Sequence, residues 1–277
     1  MLKKIRSFYK LLRDMKAFYE GKGINTSCHR WGKELGRRFN APEYLEQYGF
    51  KVYSQNDEDG IIAEIFSRVG RTNKVFVEFG VQDGLECNTH YLLHEDWKGI
   101  WIEGSEKSYK AIISKFSAVI QTGQLKVLNK FITRENINEL LTENDLSGEI
   151  DLLSIDIDGN DYHVWEAIFS VNPRVVVIEY NAKFPPQCHW VMEYDKNYVW
   201  DGSDKQGASL KAFEELGKRK AYQLVGTNFN GVNAFFVRQD IAGDLFAFPP
   251  TAENLYNPMR RVCYSSGHPA KICLKGA

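Results

Sequence analysis

The chain has 277 residues, 43% of them hydrophobic and 26% charged, with a formal net charge of -1. That composition supports a sizeable core in a soluble globular protein. No apolar run approaches the roughly 20 residues that span a bilayer, and no leader-like apolar core with a small-residue cleavage site opens the chain, which predicts a cytoplasmic protein. The five cysteines, Cys28, Cys87, Cys188, Cys263 and Cys273, are scattered and form no close pair; reduced thiols are expected rather than a disulfide framework or a zinc site.

Residues 1–50 hold no strand-like run and are expected to form a helical extension. Within 1–38, eleven Lys/Arg stand against three Asp/Glu, and Leu2, Ile5, Phe8, Tyr9, Leu12, Met15, Phe18 and Tyr19 recur every three or four positions. This predicts a basic amphipathic helix. It fits peripheral contact with an anionic membrane surface or an anionic glycan carrier, and equally a helix packed on the core or pairing two subunits as a homodimer.

A single α/β core domain is expected over 51–277, with an insertion over about 182–207. Residues 57–69 have helical spacing, with Ile61, Ile62, Ile65, Phe66 and Val69 on one face. Then "KVFVEFG" reads as a strand, "NTHYLLHE" as a helix, "KGIWIEG" as a strand, 105–118 as a helix, "LKVLNKFI" as a strand and "TRENINELLTEN" as a helix. "IDLLSIDID" is a fourth strand, "DYHVWEAIFS" a helix and "RVVVIEYN" a fifth strand. Five alternations with short connections predict a mostly parallel sheet covered by helices on both faces. An irregular stretch, 182–207, precedes the helix "ASLKAFEELGKRK". The runs "AYQLVGT" and "NAFFVRQD" then predict a C-terminal hairpin antiparallel to the rest.

Such sheets bind ligands at the carboxyl ends of their strands, so the residues that follow each strand are the candidates. The first strand ends in an E-x-G-x-x-x-G run, Glu78 to Gly84. Gly80 permits a sharp turn at positive φ, and Gly84 a close approach of the next segment to a ligand. Gln82 stands where a dinucleotide fingerprint has its middle glycine, which argues against a pyrophosphate on the backbone. A carboxylate ahead of the first glycine suits a ligand with a cationic end. Glu78 could hold the α-ammonium of S-adenosylmethionine directly or through water. Glu103, closing the second strand, can accept from both hydroxyls of a ribose and indicates an adenosine-type ligand. Asn129, Lys130 and Phe131 would meet an adenine edge, although Phe131 reads equally as core.

The fourth strand ends in Asp156, Asp158 and Asp161, and the fifth in Glu179-Tyr180-Asn181. Asp156, Glu179 and Asn181 offer an oxygen set for Mg²⁺ or another divalent ion. Such an ion would orient an acceptor hydroxyl and lower its pKa, with Asp158 or His163 as the base. The plainer alternative is that Asp158 and Asp161 cap the next helix and His163 packs. In 182–207, Phe184, Trp190, Tyr194, Tyr198, Trp200 and Asp201 suit the faces and hydroxyls of a sugar, with Trp190, Tyr194, Trp200 and Asp201 as the substrate candidates. Equally, they could form a lid that excludes water.

Taken in order, "YSQNDEDGII", "FVEFGVQDGLECNT", "LLSIDIDGNDYHVWEAI" and "VVVIEYN" resemble the FkbM-type S-adenosylmethionine-dependent methyltransferases. The resemblance covers residues 53–240, most of the chain. It implies a Rossmann-like class I methyltransferase fold, S-adenosylmethionine as cofactor, and O-methylation of a hydroxyl on a sugar, glycan or small metabolite, as in polysaccharide biosynthesis. By this resemblance Gly80 and Glu103 are cofactor residues and Asp156 a residue of the catalytic site. Gln55 and Asp59 match an opening "SQxxED" block and would close over the methionine end. Asp156-Ile157-Asp158-Gly159 stands where many members have D-V-E-G, which keeps the charge on a shorter side chain.

Three other readings compete. Asp156-Ile157-Asp158 is a D-x-D, the mark of many metal-dependent glycosyltransferases, but that motif leaves Glu78 and Gly80 without a role. An NAD-dependent oxidoreductase is weakened by the missing glycine. A scaffold without activity is opposed by the intact acidic cluster, since clustered carboxylates repel unless a ligand or metal compensates. Nucleic acid is excluded as a partner, because the basic residues concentrate in the N-terminal arm instead of around the predicted site.

Overall fold

The computed structural model describes residues 36 and 38–259. The predicted N-terminal amphipathic helix, with its membrane or dimer contact, lies outside the described residues, as do Cys28, Cys263 and Cys273. Seven strands form one sheet: β1 (Val75–Phe79), β2 (Lys98–Glu103), β3 (Leu125–Asn129), β4 (Gly148–Ile155), β5 (Val171–Glu179), β6 (Tyr222–Thr227) and β7 (Asn233–Arg238). Their order across the sheet is β3-β2-β1-β4-β5-β7-β6. β1 to β5 pair in parallel, giving the Rossmann-like α/β architecture that the alternating pattern predicts. The helices are α1 (Glu58–Val69), α2 (His90–Leu93), α3 (Glu106–Lys115), α4 (Ser117–Gln121), α5 (Ile137–Thr142), α6 (Asp161–Ala167), α7 (Leu210–Arg219), and the short α8 (Gln239–Ala242) and α9 (Ala252–Leu255).

The expected hairpin is present but only half of it is reversed. β7 lies between β5 and β6 and is antiparallel to both, so β6 runs in the same direction as β1–β5. That placement gives β7 a neighbour on each side and buries Ala234, Phe235, Phe236 and Val237 completely.

Alternation along the strands splits the apolar side chains between two cores. Val77, Phe79, Ile102, Leu153, Ile155, Val176 and Ile178 face Ile137 and Leu141 of α5, Trp165 of α6 and Phe213 of α7. Phe76, Trp101, Leu152, Val175 and Val177 face Ile61, Ile62 and Ile65 of α1 and Ile112 of α3. Burial on both faces explains why β4 and β5 read as continuous apolar runs. The long helix expected over 105–118 breaks at Phe116, which leaves the helical region and caps α3. β3 stops at Asn129, so residues 130–132 leave the sheet and become available to a ligand. Among the described residues, no helix is long and apolar enough to cross a membrane.

Candidate active site

Strand register builds the site. Phe79 pairs with Ile102 and with Ile155, and Ile155 pairs with Ile178. The next residue along each strand is Gly80, Glu103, Asp156 and Glu179, so these four form a row at the carboxyl edge. The row crosses the switch point, where the chain has run from β1 to β3 on one side and returns to β4 on the other. Gly80 has φ 72, and a Cβ there would lie 1.6 Å from the Asp156 carbonyl oxygen; only glycine fits so close an approach. Gly84, at φ 80, has a different reason from the one expected. A Cβ on it would meet the Trp101 and Phe116 rings at 2.7 Å, so this glycine makes room for core aromatics and not for a ligand.

A cavity of about 460 Å³ opens at the ends of β2 and β3. At its base Glu103 is buried, and each of its carboxylate oxygens accepts one backbone amide, from Gln82 (2.8 Å) and from Ser105 (2.7 Å). One lone pair on each oxygen remains, the arrangement needed to accept two neighbouring hydroxyls. Burial pushes this carboxyl above its ordinary value, opposed by backbone amides and reinforced by the charge of Asp158. Ile102, Phe131 and Ile132 give the cavity an apolar slot, and Tyr198 closes it from the 182–207 segment. Phe131 is therefore a wall of the cavity and not core, with 46% of its surface exposed. Asn129 does not meet this space. Its side-chain amide donates to the Glu103 carbonyl (2.8 Å) and ties β3 to β2.

A second cavity, of about 580 Å³, shares Gly80, Gln82, Asp156 and Asp158 with the first. Here one carboxylate oxygen each from Asp156, Asp158 and Glu179 lies within 4.8 Å of the others. Burial, then the charges of Glu179, Asp161 and Asp158, hold Asp156 well above the carboxylate range. Burial and the charges of Asp161 and Asp158 push Glu179 up to about 8. Lys183, the basic side chain on this wall, is already paired with Asp204. The donor set is three hard oxygens, which fits a divalent ion such as Mg²⁺. Asn181, expected as a ligand, does not line this cavity, and its Oδ1 accepts the Lys183 amide (3.2 Å). Its amide donates to the carbonyls of Asp204 (2.9 Å) and Gln206 (3.1 Å) and fastens the end of the 182–207 loop. Asp158 supplies the third oxygen instead. Asp158 stands at φ 56 and faces both cavities. The turn-holding role falls to Asp161, which accepts the amides of Ile157 and Gly159 (both 2.8 Å).

Several candidates serve the fold instead of a ligand. His163 lines neither cavity; its Nε2 donates to the Met192 carbonyl (2.8 Å), so the ring fastens the 182–207 segment away from the space where a base is needed. Glu78 reaches the second cavity, but four donors occupy its carboxylate: the Asn88 and Thr89 amides (2.8 and 2.9 Å), the Thr89 hydroxyl (2.6 Å) and the Ser154 hydroxyl (3.1 Å). It fixes the segment entering α2 and has no lone pair to spare for an ammonium group. Of the four aromatic-loop candidates, only Trp200 lines a cavity. Trp190 stacks on Phe184 at 4.5 Å. Tyr194 lies under Arg134 at 4.0 Å and donates to Glu135. Asp201 accepts the Ser203 amide in a local turn (2.8 Å).

Gln55 does face the second cavity. Asp59 acts behind it, one oxygen accepting the amides of Val52, Tyr53 and Ser54 (2.7, 2.7 and 2.9 Å) and so fixing the loop that presents Gln55. Sequence reasoning missed the amide side chains of Asn56, Gln206, Asn230 and Asn233 on the same cavity. The signal was available in "NFNGVN", three asparagines in a turn where one suffices.

No protein-family model matches the sequence, and no curated protein matches it. The fold is similar to solved methyltransferase structures. One is an S-adenosylmethionine-dependent methyltransferase from Clostridium acetobutylicum, with 11% identity, a TM-score of 0.41, and coverage of 64% of this chain and 88% of that one. Another is magnesium protoporphyrin IX methyltransferase from Synechocystis with bound S-adenosylmethionine, at 12% identity, TM-score 0.41, and 65% and 77% coverage. A third is the glycopeptide N-methyltransferase MtfA complexed with sinefungin, at 10% identity, TM-score 0.41, and 66% and 94% coverage. With identities this low and TM-scores below 0.5, function has to be argued from this chain's own residues.

Proposed function

We propose that the chain is an S-adenosylmethionine-dependent O-methyltransferase of the FkbM type, acting on a hydroxyl of a sugar, glycan or small metabolite. The observation that carries this reading is the pairing of Glu103, with one free lone pair on each oxygen, to a cavity that continues past Gly80 into a carboxylate cluster. S-adenosylmethionine, when bound, supplies an electrophilic methyl group on a sulfonium. Glu103 accepts the ribose hydroxyls, while Phe131 and Ile132 hold the base. Gly80 leaves room for the methionine arm, which Gln55 meets in the second cavity. Asp156 and Asp158, where the cavities join, orient the acceptor hydroxyl and take its proton, a role whose worth is about 10²–10⁴-fold in rate. Asp156, Asp158 and Glu179 would hold a divalent ion, which would lower the pKa of that hydroxyl. Trp200 offers the acceptor an apolar face.

The D-x-D glycosyltransferase reading uses Asp156 and Asp158 but needs a diphosphate cradle. The carboxylate-lined cavity offers no arginine and one already paired lysine. The test is transfer of labelled methyl from S-adenosylmethionine to a mixed acceptor extract, run beside labelled sugar transfer from UDP-sugars. Methyl label in product with wild type and none with Asp156→Ala supports the proposal; sugar label alone would replace it with the glycosyltransferase.

A further inference from the structure

One wall of the second cavity comes from two segments far apart in sequence, residues 54–58 and the 228–233 turn. Buried Glu58 joins them. Its Oε1 accepts the side-chain amides of Asn228 and Asn233 (both 2.9 Å) and of Asn56 (3.2 Å), and its Oε2 the backbone amide of Asn56 (2.8 Å). Asn230 in turn donates to Asn56 Oδ1 (2.8 Å). These bonds consume donors and leave oxygens over. Asn230 Oδ1, Asn233 Oδ1 and Gln206 Oε1 are buried with no donor among the described residues, and all three residues line the cavity. Asn233 is 3% exposed. A buried acceptor without a donor is costly, so this wall is short of hydrogens that a ligand can bring.

The charge around the cavity points the same way. Glu78, Asp83, Glu86, Asp156, Asp158 and Glu179 line it; Lys115 pairs with Asp83 and Lys51 with Glu86, while Lys183 is taken by Asp204, so the three clustered carboxylates face no free cation among the described residues. A divalent ion on Asp156, Asp158 and Glu179 would offset two of their three charges and leave no net positive charge to hold an anion. An anionic ligand would meet like charge at close range, whereas hydroxyl hydrogens would meet acceptors.

We propose that this cavity selects an uncharged, hydroxyl-rich acceptor over its phosphorylated or carboxylated counterpart, with Asn230, Asn233 and Gln206 accepting the acceptor's hydroxyl hydrogens. The inference rests on the methyltransferase reading and narrows its substrate class. Asn230 and Gln206 become specificity-determining residues for the acceptor. Trp200 lies on the same cavity with 48% of its surface exposed and can cover the apolar face of a ring.

The full-length protein, saturated with S-adenosylhomocysteine, is dialysed against an equimolar mixture of reduced neutral oligosaccharides and the same oligosaccharides phosphorylated. Neutral sugars should be retained at least about tenfold over phosphorylated ones, a difference of about 1.4 kcal/mol. Asn230→Ala and, separately, Gln206→Ala should each cut that retention several-fold while leaving S-adenosylhomocysteine binding unchanged. Preferential retention of the phosphorylated sugars overturns the inference, as does retention of neither at millimolar concentration. S-adenosylhomocysteine binding is read in the same sample, so a failure there would remove the methyltransferase reading itself and is told apart from a failure of acceptor selection alone.

Discussion

Two carboxylates five positions apart on and just beyond β4, Asp151 buried and Asp156 half-buried, are treated in opposite ways. Asp151 sits at the amino-terminal side of the sheet. It accepts the amides of Thr72 (2.9 Å), Asn73 (2.9 Å) and Lys74 (2.6 Å) and the Thr72 hydroxyl (3.2 Å), and it pairs with Arg174 at 3.3 Å. Asp156, at the carboxyl edge, faces Glu179, Asp158 and Asp161, and is held far above the carboxylate range. A carboxylate that the fold itself needs is surrounded by donors. One kept among like charges costs the fold stability, and its place is explained by what it does to a ligand.

The largest effect that would sharpen this contrast is on rate. Asp156→Ala should lower methyl transfer by about 10²–10⁴-fold while leaving S-adenosylmethionine affinity nearly intact and unfolding free energy unchanged or raised. Near-normal turnover would make the cluster structural. Asp151→Ala should do the reverse. It strands Arg174 and three amides, so urea unfolding should show a loss of roughly 3–5 kcal/mol, with activity per folded molecule unchanged. Next comes Glu103→Ala, which removes two charge-assisted hydrogen bonds to the ribose. Affinity for S-adenosylmethionine should fall about 10–100-fold, and an unchanged dissociation constant would move the ribose site elsewhere.

The smallest effect is on pH dependence. Glu179 has an ordinary value of 4.5 and is pushed up to about 8 in the folded, metal-free chain. Between these values the native state binds a proton that the unfolded state has released, so stability should fall as pH rises across that window. Glu179→Gln should flatten the slope, and Mg²⁺ should offset it by binding the ionised carboxylates. A metal-free melting temperature that rises from pH 5 to 8 in step with the variant's would contradict the assignment of Glu179 as an uncompensated acid.

Much of the site was legible because register follows from pattern. Apolar runs of the right length place Gly80, Glu103, Asp156 and Glu179 at strand ends, and parallel pairing then aligns them. The assignments that changed concern which way a side chain turns after the strand ends. Asn181 and His163 are polar residues beside the site that donate to backbone carbonyls from loops, Glu78 is enclosed by amides and hydroxyls of Asn88, Thr89 and Ser154, and no periodicity marks where such partners will return. Gly84 was readable as a close approach, but whether to a ligand or to Trp101 depends on tertiary packing. The reversal of β7 alone was hidden for a similar reason, since a hairpin signal fixes the pairing of its two strands and not which of them joins the sheet. The amide wall escaped because asparagines in a tight turn have an ordinary local explanation.

The account turns on whether the two joined cavities hold S-adenosylmethionine through Glu103. Calorimetric titration of the purified full-length protein with S-adenosylmethionine, and separately with NAD and UDP-sugars, each with and without Mg²⁺, tests this most directly. The account predicts binding of S-adenosylmethionine at about micromolar strength, roughly -8 kcal/mol, without need of metal, and no comparable heat from the other two. Binding of a UDP-sugar only in the presence of Mg²⁺, with none of S-adenosylmethionine, would contradict it.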